Sequence, residues 1–193
     1  SKKTHPKEFN NPVKLLFPSR IIREKGFSEL LIAFKALINK GKKLQLFIAG
    51  DIDKGNKSTF LKKEIQSLKI DKNITLLGHM NNMKDLYEEI DIVILPSWRE
   101  GLSRALIEAA SMQKTIITTD VPGCKDIIDQ GISGILVPPR NSKAIELAIV
   151  LLINNQKLAL KMGLNARNKV IKEFEVNLIN DQTIKQYEGV FNI

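Results

Sequence analysis

Glu100 and Glu108 stand with seven residues between them, in the stretch Pro96-Ser97-Trp98-Arg99-Glu100-Gly101-Leu102-Ser103-Arg104-Ala105-Leu106-Ile107-Glu108-Ala109. The apolar run Ile92-Val93-Ile94-Leu95 precedes it and reads as a buried parallel strand. Glu100 and Gly101 then fall in a loop, and a helix is expected to begin near Ser103. A strand that feeds a loop and a helix N-terminus is a general anion site, because free backbone N–H groups and the helix dipole point outward there. The carboxylates can accept hydrogen bonds from hydroxyls while the amides between them donate to phosphate. A ligand with both hydroxyls and phosphate, such as a sugar nucleotide, suits that pattern. Glu108 is flanked by Leu106, Ile107, Ala109 and Ala110. An acid in so apolar a helix is expected to need a ligand or a basic partner to offset desolvation.

The elements that hold these groups alternate. Strands are expected at 13–17, 44–49, 74–77, 92–95, 115–118 and 135–137. Helices are expected at 28–41, 58–68, 83–88, 103 onward, 125–129, 142–153, 156–174 and 176–189. Ser28 is the expected cap of the first helix, whose apolar face is Leu30, Leu31, Phe34, Leu37 and Ile38, and Gly41 closes it. Alternating strands and helices mean parallel βαβ units. The fold class is therefore α/β, a Rossmann-like doubly wound parallel sheet of about six strands, with the ligand at the strands' C-terminal ends. Residues 1–11 read as a linker, and 12–193 as one domain.

The composition is that of an ordinary globular domain. Of 193 residues, 43% are hydrophobic and 26% charged, and no run is apolar enough to span a membrane. No signal peptide is visible, and one cysteine, Cys124, fits a reducing compartment, so a cytoplasmic location is expected. The net charge of +9 calls for nucleic acid, an anionic membrane surface or phosphorylated small molecules as partners. The lysines are scattered and aromatic residues are only 6%, which argues against nucleic acid. Peripheral contact with an anionic bilayer is the alternative the charge favours.

Other residues gather at the expected crevice. The loop after the first strand reads Ser19-Arg20-Ile21-Ile22-Arg23-Glu24-Lys25-Gly26, with cations at the crevice mouth and no G-x-G-x-x-G. Arginine suits phosphate through its planar fork and lysine acts as a point charge. Asp51 and Asp53 are spaced as a D-x-D metal motif, against which stands the simpler reading of Ala49-Gly50-Asp51 as a turn. His79 is either a base or a loop residue.

These stretches resemble the retaining family 4 glycosyltransferases of the GT-B fold, specifically their C-terminal donor domain. Glu100 and Glu108 match the E-x7-E signature. Ser19 to Gly26 resembles "G-R-L-x-x-x-K-G", with Ser19 in place of the usual glycine. Gly50-Asp51 matches the "A-G-x" turn, and Leu77-Gly78-His79-Met80 the "L-G-x-h" turn near the base. The loop 118–126 resembles "G-G-x-x-E" with Asp126 for the glutamate, which would weaken its cap. Gly131 to Arg140 matches "G-x-x-G-x-L-V-P-P".

The resemblance implies a nucleotide-sugar donor, with UDP-sugar favoured, and no metal cofactor. Arg20 and Lys25 would hold the diphosphate, Glu100 the donor sugar and Glu108 the ribose. Gly50, Asp51, Gly78, His79 and Met80 would face the nucleoside. The amides of Gly101, Leu102 and Ser103 would face diphosphate or sugar. It implies a missing N-terminal acceptor domain and a polysaccharide or lipid-linked acceptor, as in bacterial surface-glycan enzymes. The alternatives are a non-hydrolysing UDP-sugar epimerase and a basic module that binds anionic lipid or nucleic acid.

Overall fold

The computed structural model describes residues 8–51 and 70–174. The expected helices at 58–68 and 176–189, together with Asp53, lie outside the described residues. Six strands form one parallel sheet: β1 Val13–Phe17, β2 Leu44–Ala49, β3 Ile74–Gly78, β4 Ile92–Leu95, β5 Thr115–Thr119 and β6 Ile135–Val137. All four residues of β4 and all five of β5 are buried, as runs covered on both faces must be. Val, Ile and Thr in these strands suit the pleated surface.

The helices are α1 Phe27–Asn39, α2 Met83–Glu89, α3 Arg104–Ser111, α4 Ser142–Asn154 and α5 Gln156–Phe174. In α1 the residues Leu30, Leu31, Phe34 and Leu37 are buried at helical spacing. Two expectations need correction. Ser28 lies inside α1, whose cap is Gly26 in the left-handed region, because the preceding turn of 3-10 helix at Arg23–Lys25 delivers the chain two residues earlier. Residues 125–127 lie in successive turns and 128–129 are irregular, so no helix forms there; the segment between Val121 and Ser133 is spent on loop hydrogen bonds.

The strand order is β3-β2-β1-β4-β5-β6. The chain winds outward from β1 in one direction and from β4 in the other. Right-handed crossovers therefore place α1 and α3 on opposite faces. Helix α1 packs on α4, and α3 on α5. The reversal lies between β1 and β4, which pair through Leu15 with Ile92 and Leu16 with Val93. The helices that follow these two strands go to opposite faces of the sheet, and the crevice at such a reversal is where such sheets bind ligands.

Residues 9 and 10 of the expected linker are docked. The Phe9 N–H donates to Gln156 Oε1 (3.2 Å), and the Asp91 carboxylate accepts from the Asn10 side chain (2.8 Å) and from the Lys14 N–H (2.8 Å).

Candidate functional site

The loop after β1 and the loop after β4 interlock. The Trp98 N–H donates to the Glu24 carbonyl at 2.8 Å. Lys25 Nζ donates to Glu100 Oε1 at 2.5 Å, with the two side chains 21% and 10% exposed. The buried Ser97 hydroxyl donates to the same Oε1 at 2.7 Å. Among the described residues no donor reaches Glu100 Oε2, so that oxygen is the open acceptor of the carboxylate. The support behind Ser97 comes from β5, where Thr118 Oγ1 donates to the Leu95 carbonyl (2.8 Å) and Thr119 Oγ1 to the Ser97 carbonyl.

Gly101 is placed by the loop after β5. A Cβ on Gly123 would stand 1.7 Å from the Gly101 carbonyl oxygen, and Gly123 has φ +79°, so only glycine lets the two loops touch. The Gly123 N–H donates to Asp126 Oδ2 at 2.9 Å. Asp126, shorter than glutamate, thus still makes this cap. Among the described residues nothing accepts from the backbone N–H groups of Gly101, Leu102 and Ser103. Gly101 and Leu102 are exposed, and Ser103 is buried and N-caps α3 with no side-chain hydrogen bond.

Two cavities open at the C-terminal ends of the strands. One, of about 610 Å³, is lined by Arg20, Lys25, Arg99, Glu100 and Gly101 among others. The second, of about 460 Å³ and more apolar, is lined by Gly50, Asp51, His79, Met80, Tyr87 and Glu108 among others. Arg20 lines both and marks where they meet. The structure thus brings Arg20, Lys25, Glu100 and Gly101 to one cavity, and Gly50, Asp51, His79, Met80 and Glu108 to the other. Gly78 lines neither, and its carbonyl accepts from the Gly50 N–H at 2.8 Å.

The case for Glu108 changes. Its helix is apolar on the side facing Leu106, Ala109 and Ala110, but Glu108 itself is exposed on the crevice side. Helical periodicity separates residues that are neighbours in sequence, so the burial argument for a partner does not apply. Its carboxylate has no hydrogen-bond partner among the described residues. It stands near Tyr87, whose hydroxyl donates to the Ala105 carbonyl at 3.1 Å. Burial, and then the Glu108 charge, push the Tyr87 phenol above its usual range. Gly50 also needs a different account. A Cβ there would lie 2.1 Å from the Ser19 carbonyl oxygen, so the glycine makes room for the β1 loop.

Ser97, Thr119, Tyr87 and Arg99 were not singled out from sequence. Ser97 and Thr119 touch the site through contacts between β4 and β5, and spacing along the chain gives no sign of these. Cys124 is fully buried and burial raises its thiol pKa, which fits a packed core residue. Among the described residues no group of three His, Cys, Asp or Glu side chains is arranged to hold a metal.

The chain is 28% identical over 181 residues to the capsular polysaccharide biosynthesis glycosyltransferase CapM of Staphylococcus aureus, covering 94% of this chain and 47% of CapM. It spans about half the length of the curated relatives it matches. Its fold matches the crystal structure of Anabaena HepE in complex with UDP, with TM-score 0.87 and 21% identity, over 93% of this chain and 49% of that one. It also matches the C-terminal domain of LpcC, a glycosyl transferase group 1 family protein of Francisella tularensis, with TM-score 0.76 and 22% identity, over 87% and 89% of the two chains. The family model for glycosyl transferases group 1 matches residues 1–169, and the chain belongs to that family.

Proposed function

We propose that this chain is the donor-nucleotide-binding domain of a retaining glycosyltransferase that takes a UDP-sugar and acts on a polysaccharide or lipid-linked acceptor. The observation that carries the reading is the pair of cavities sharing Arg20: one lined by a carboxylate, cations and Gly101, the other more enclosed, more apolar and lined in part by Glu108. A nucleoside suits the second cavity, its ribose hydroxyls on Glu108 and its base against Met80 and the His79 backbone. The diphosphate then lies at Arg20, and the sugar reaches Glu100 Oε2. HepE, which has this fold, binds UDP, and CapM belongs to capsular polysaccharide synthesis; both accord with the choice of donor and acceptor. Family membership does not favour the epimerase or the basic-module alternative.

Glu100 here orients and does not attack. Its Oε1 is engaged by Lys25 and Ser97, and its Oε2 accepts a sugar hydroxyl. As the bond from the sugar to the leaving diphosphate breaks, negative charge grows on phosphate. Arg20, Lys25 and the amides of Gly101 to Ser103 would stabilise that charge. Reaction on one sugar face, with the leaving phosphate taking the acceptor's proton, needs no protein base, which leaves His79 as a lining residue. The body of the acceptor would be held by an N-terminal domain outside this chain, in accord with the match to an isolated C-terminal domain. The domain is expected to act in the cytoplasm and without metal.

Calorimetric titration with UDP, GDP and ADP, without metal, tests the proposal. Saturable binding of UDP alone, weakened about tenfold or more in Glu108→Ala, is the expected result. Equal indifference to all three nucleotides sinks it.

A further inference from the structure

Outside both cavities, two arginines share one aromatic ring. The Cζ of Arg140 lies 4.2 Å, and that of Arg23 5.3 Å, from the centre of the Trp98 ring. Three loops meet here: Arg23 from the loop after β1, Trp98 from the loop after β4, and Arg140 from the loop between β6 and α4. Trp98 is held at ring and backbone, since its Nε1–H donates to Glu29 Oε1 (3.2 Å) and its backbone N–H to the Glu24 carbonyl (2.8 Å). Glu29 engages the indole edge and pairs with neither guanidinium. Both arginines are exposed, and among the described residues neither forms an ion pair. Arg140 also has φ +59°, a conformation that a non-glycine residue keeps only when its surroundings impose it.

A guanidinium stacked on an aromatic face keeps its N–H edges free and pre-oriented, and it is weakly hydrated, so it suits phosphate oxygens. Trp98, Arg23 and Arg140 line neither cavity, whereas Ile22, Glu24 and Arg99, their chain neighbours, line the one assigned to the donor's diphosphate and sugar. An anion on this ledge is therefore a second ligand lying against the donor. We infer that Arg23 and Arg140, stacked on Trp98, bind a phosphate or diphosphate group carried by the acceptor. This inference rests on the reading of the crevice as a donor site, and it adds the chemical class of the acceptor.

Trp98 is the only tryptophan in the chain, so its emission reports on the ledge. The chain is first saturated with UDP, followed by calorimetry, and then titrated with inorganic phosphate in one arm and farnesyl diphosphate in the other. Expected is a saturable change in Trp98 emission in both arms, at lower concentration with farnesyl diphosphate. A change with inorganic phosphate alone overturns the acceptor assignment and leaves a site for free phosphate. Arg140→Gly, which accepts the positive φ without strain, and Arg23→Ala should each weaken the response by about tenfold while UDP binding stays as in the parent. Absence of any emission change, or a response in both variants equal to the parent's, overturns the inference while the donor reading stands. Failure of UDP to bind at the first step overturns the donor reading, and the acceptor assignment falls with it.

Discussion

Lys25 Nζ and Glu100 Oε1 are 2.5 Å apart, and this ion pair ties the loop leaving β1 to the loop leaving β4 across the point where the sheet's winding reverses. The cation proposed for phosphate is thus paired with the acid proposed for the sugar. The two roles separate on mutation. In Glu100→Gln the lysine is released, so UDP affinity is expected to hold or rise. Preference for UDP-sugar over UDP should fall by about tenfold, the worth of one charge-assisted hydrogen bond. Calorimetry with both ligands decides: an equal loss for UDP and UDP-sugar would mean that Glu100 serves only to place Lys25.

Gly123→Ala should be costly. Its Cβ would sit 1.7 Å from the Gly101 oxygen and 2.9 Å from the Glu100 oxygen, on a backbone at φ +79°. Roughly 1–3 kcal/mol of strain is expected, hence a melting temperature lower by several degrees. Because the displaced atoms belong to the loop after β4, part of the proposed donor site, nucleotide affinity should fall too. A variant that melts lower but binds as before would remove Gly101 from the site.

Tyr87 makes stability depend on alkaline pH. Its pKa in the folded chain is raised by burial first and by the Glu108 charge second. A raised pKa stabilises fully below the unfolded value of about 10 and is lost as pH climbs toward the folded one. Tyr87→Phe should therefore flatten the stability curve above about pH 10, while costing about 1 kcal/mol below it through the lost bond to Ala105. Glu108→Gln should bring the phenol's titration down, read from phenolate absorbance in a Tyr187→Phe background. An unmoved titration would contradict the proximity of the two groups.

Glu146 acts at the acid end. Its side chain is 8% exposed and accepts from Lys40 at 2.5 Å and Lys143 at 3.0 Å, which joins the end of α1 to α4. The Lys40 hydrogen bond, then that of Lys143, holds its pKa below the usual carboxylate value. A depressed pKa stabilises above the unfolded value and is lost as pH falls through the folded one. Glu146→Gln should thus melt lower than the parent at pH 7, with the difference closing below about pH 4. A constant gap across that range would show that the site matters by packing alone.

The chain's own pattern determined most of the fold. The four apolar residues of β4, the β-branched β5 and the helical stripe of α1 place themselves, because strand and helix bury residues at periods the sequence displays directly. It also marked Arg20, Lys25, Glu100 and Glu108, since charged residues after buried strands fall at the crevice mouth. What the tertiary structure alone decided is who touches whom. The Lys25–Glu100 pair spans 75 positions, Thr119 reaches Ser97 from a neighbouring strand, and Arg140 reaches Trp98 from beyond β6. The exposure of Glu108 was misjudged from its neighbours because adjacent helical residues point about 100° apart. Such contacts depend on strand order and crossover direction, which bring distant loops to one edge of the sheet, and no local spacing encodes them.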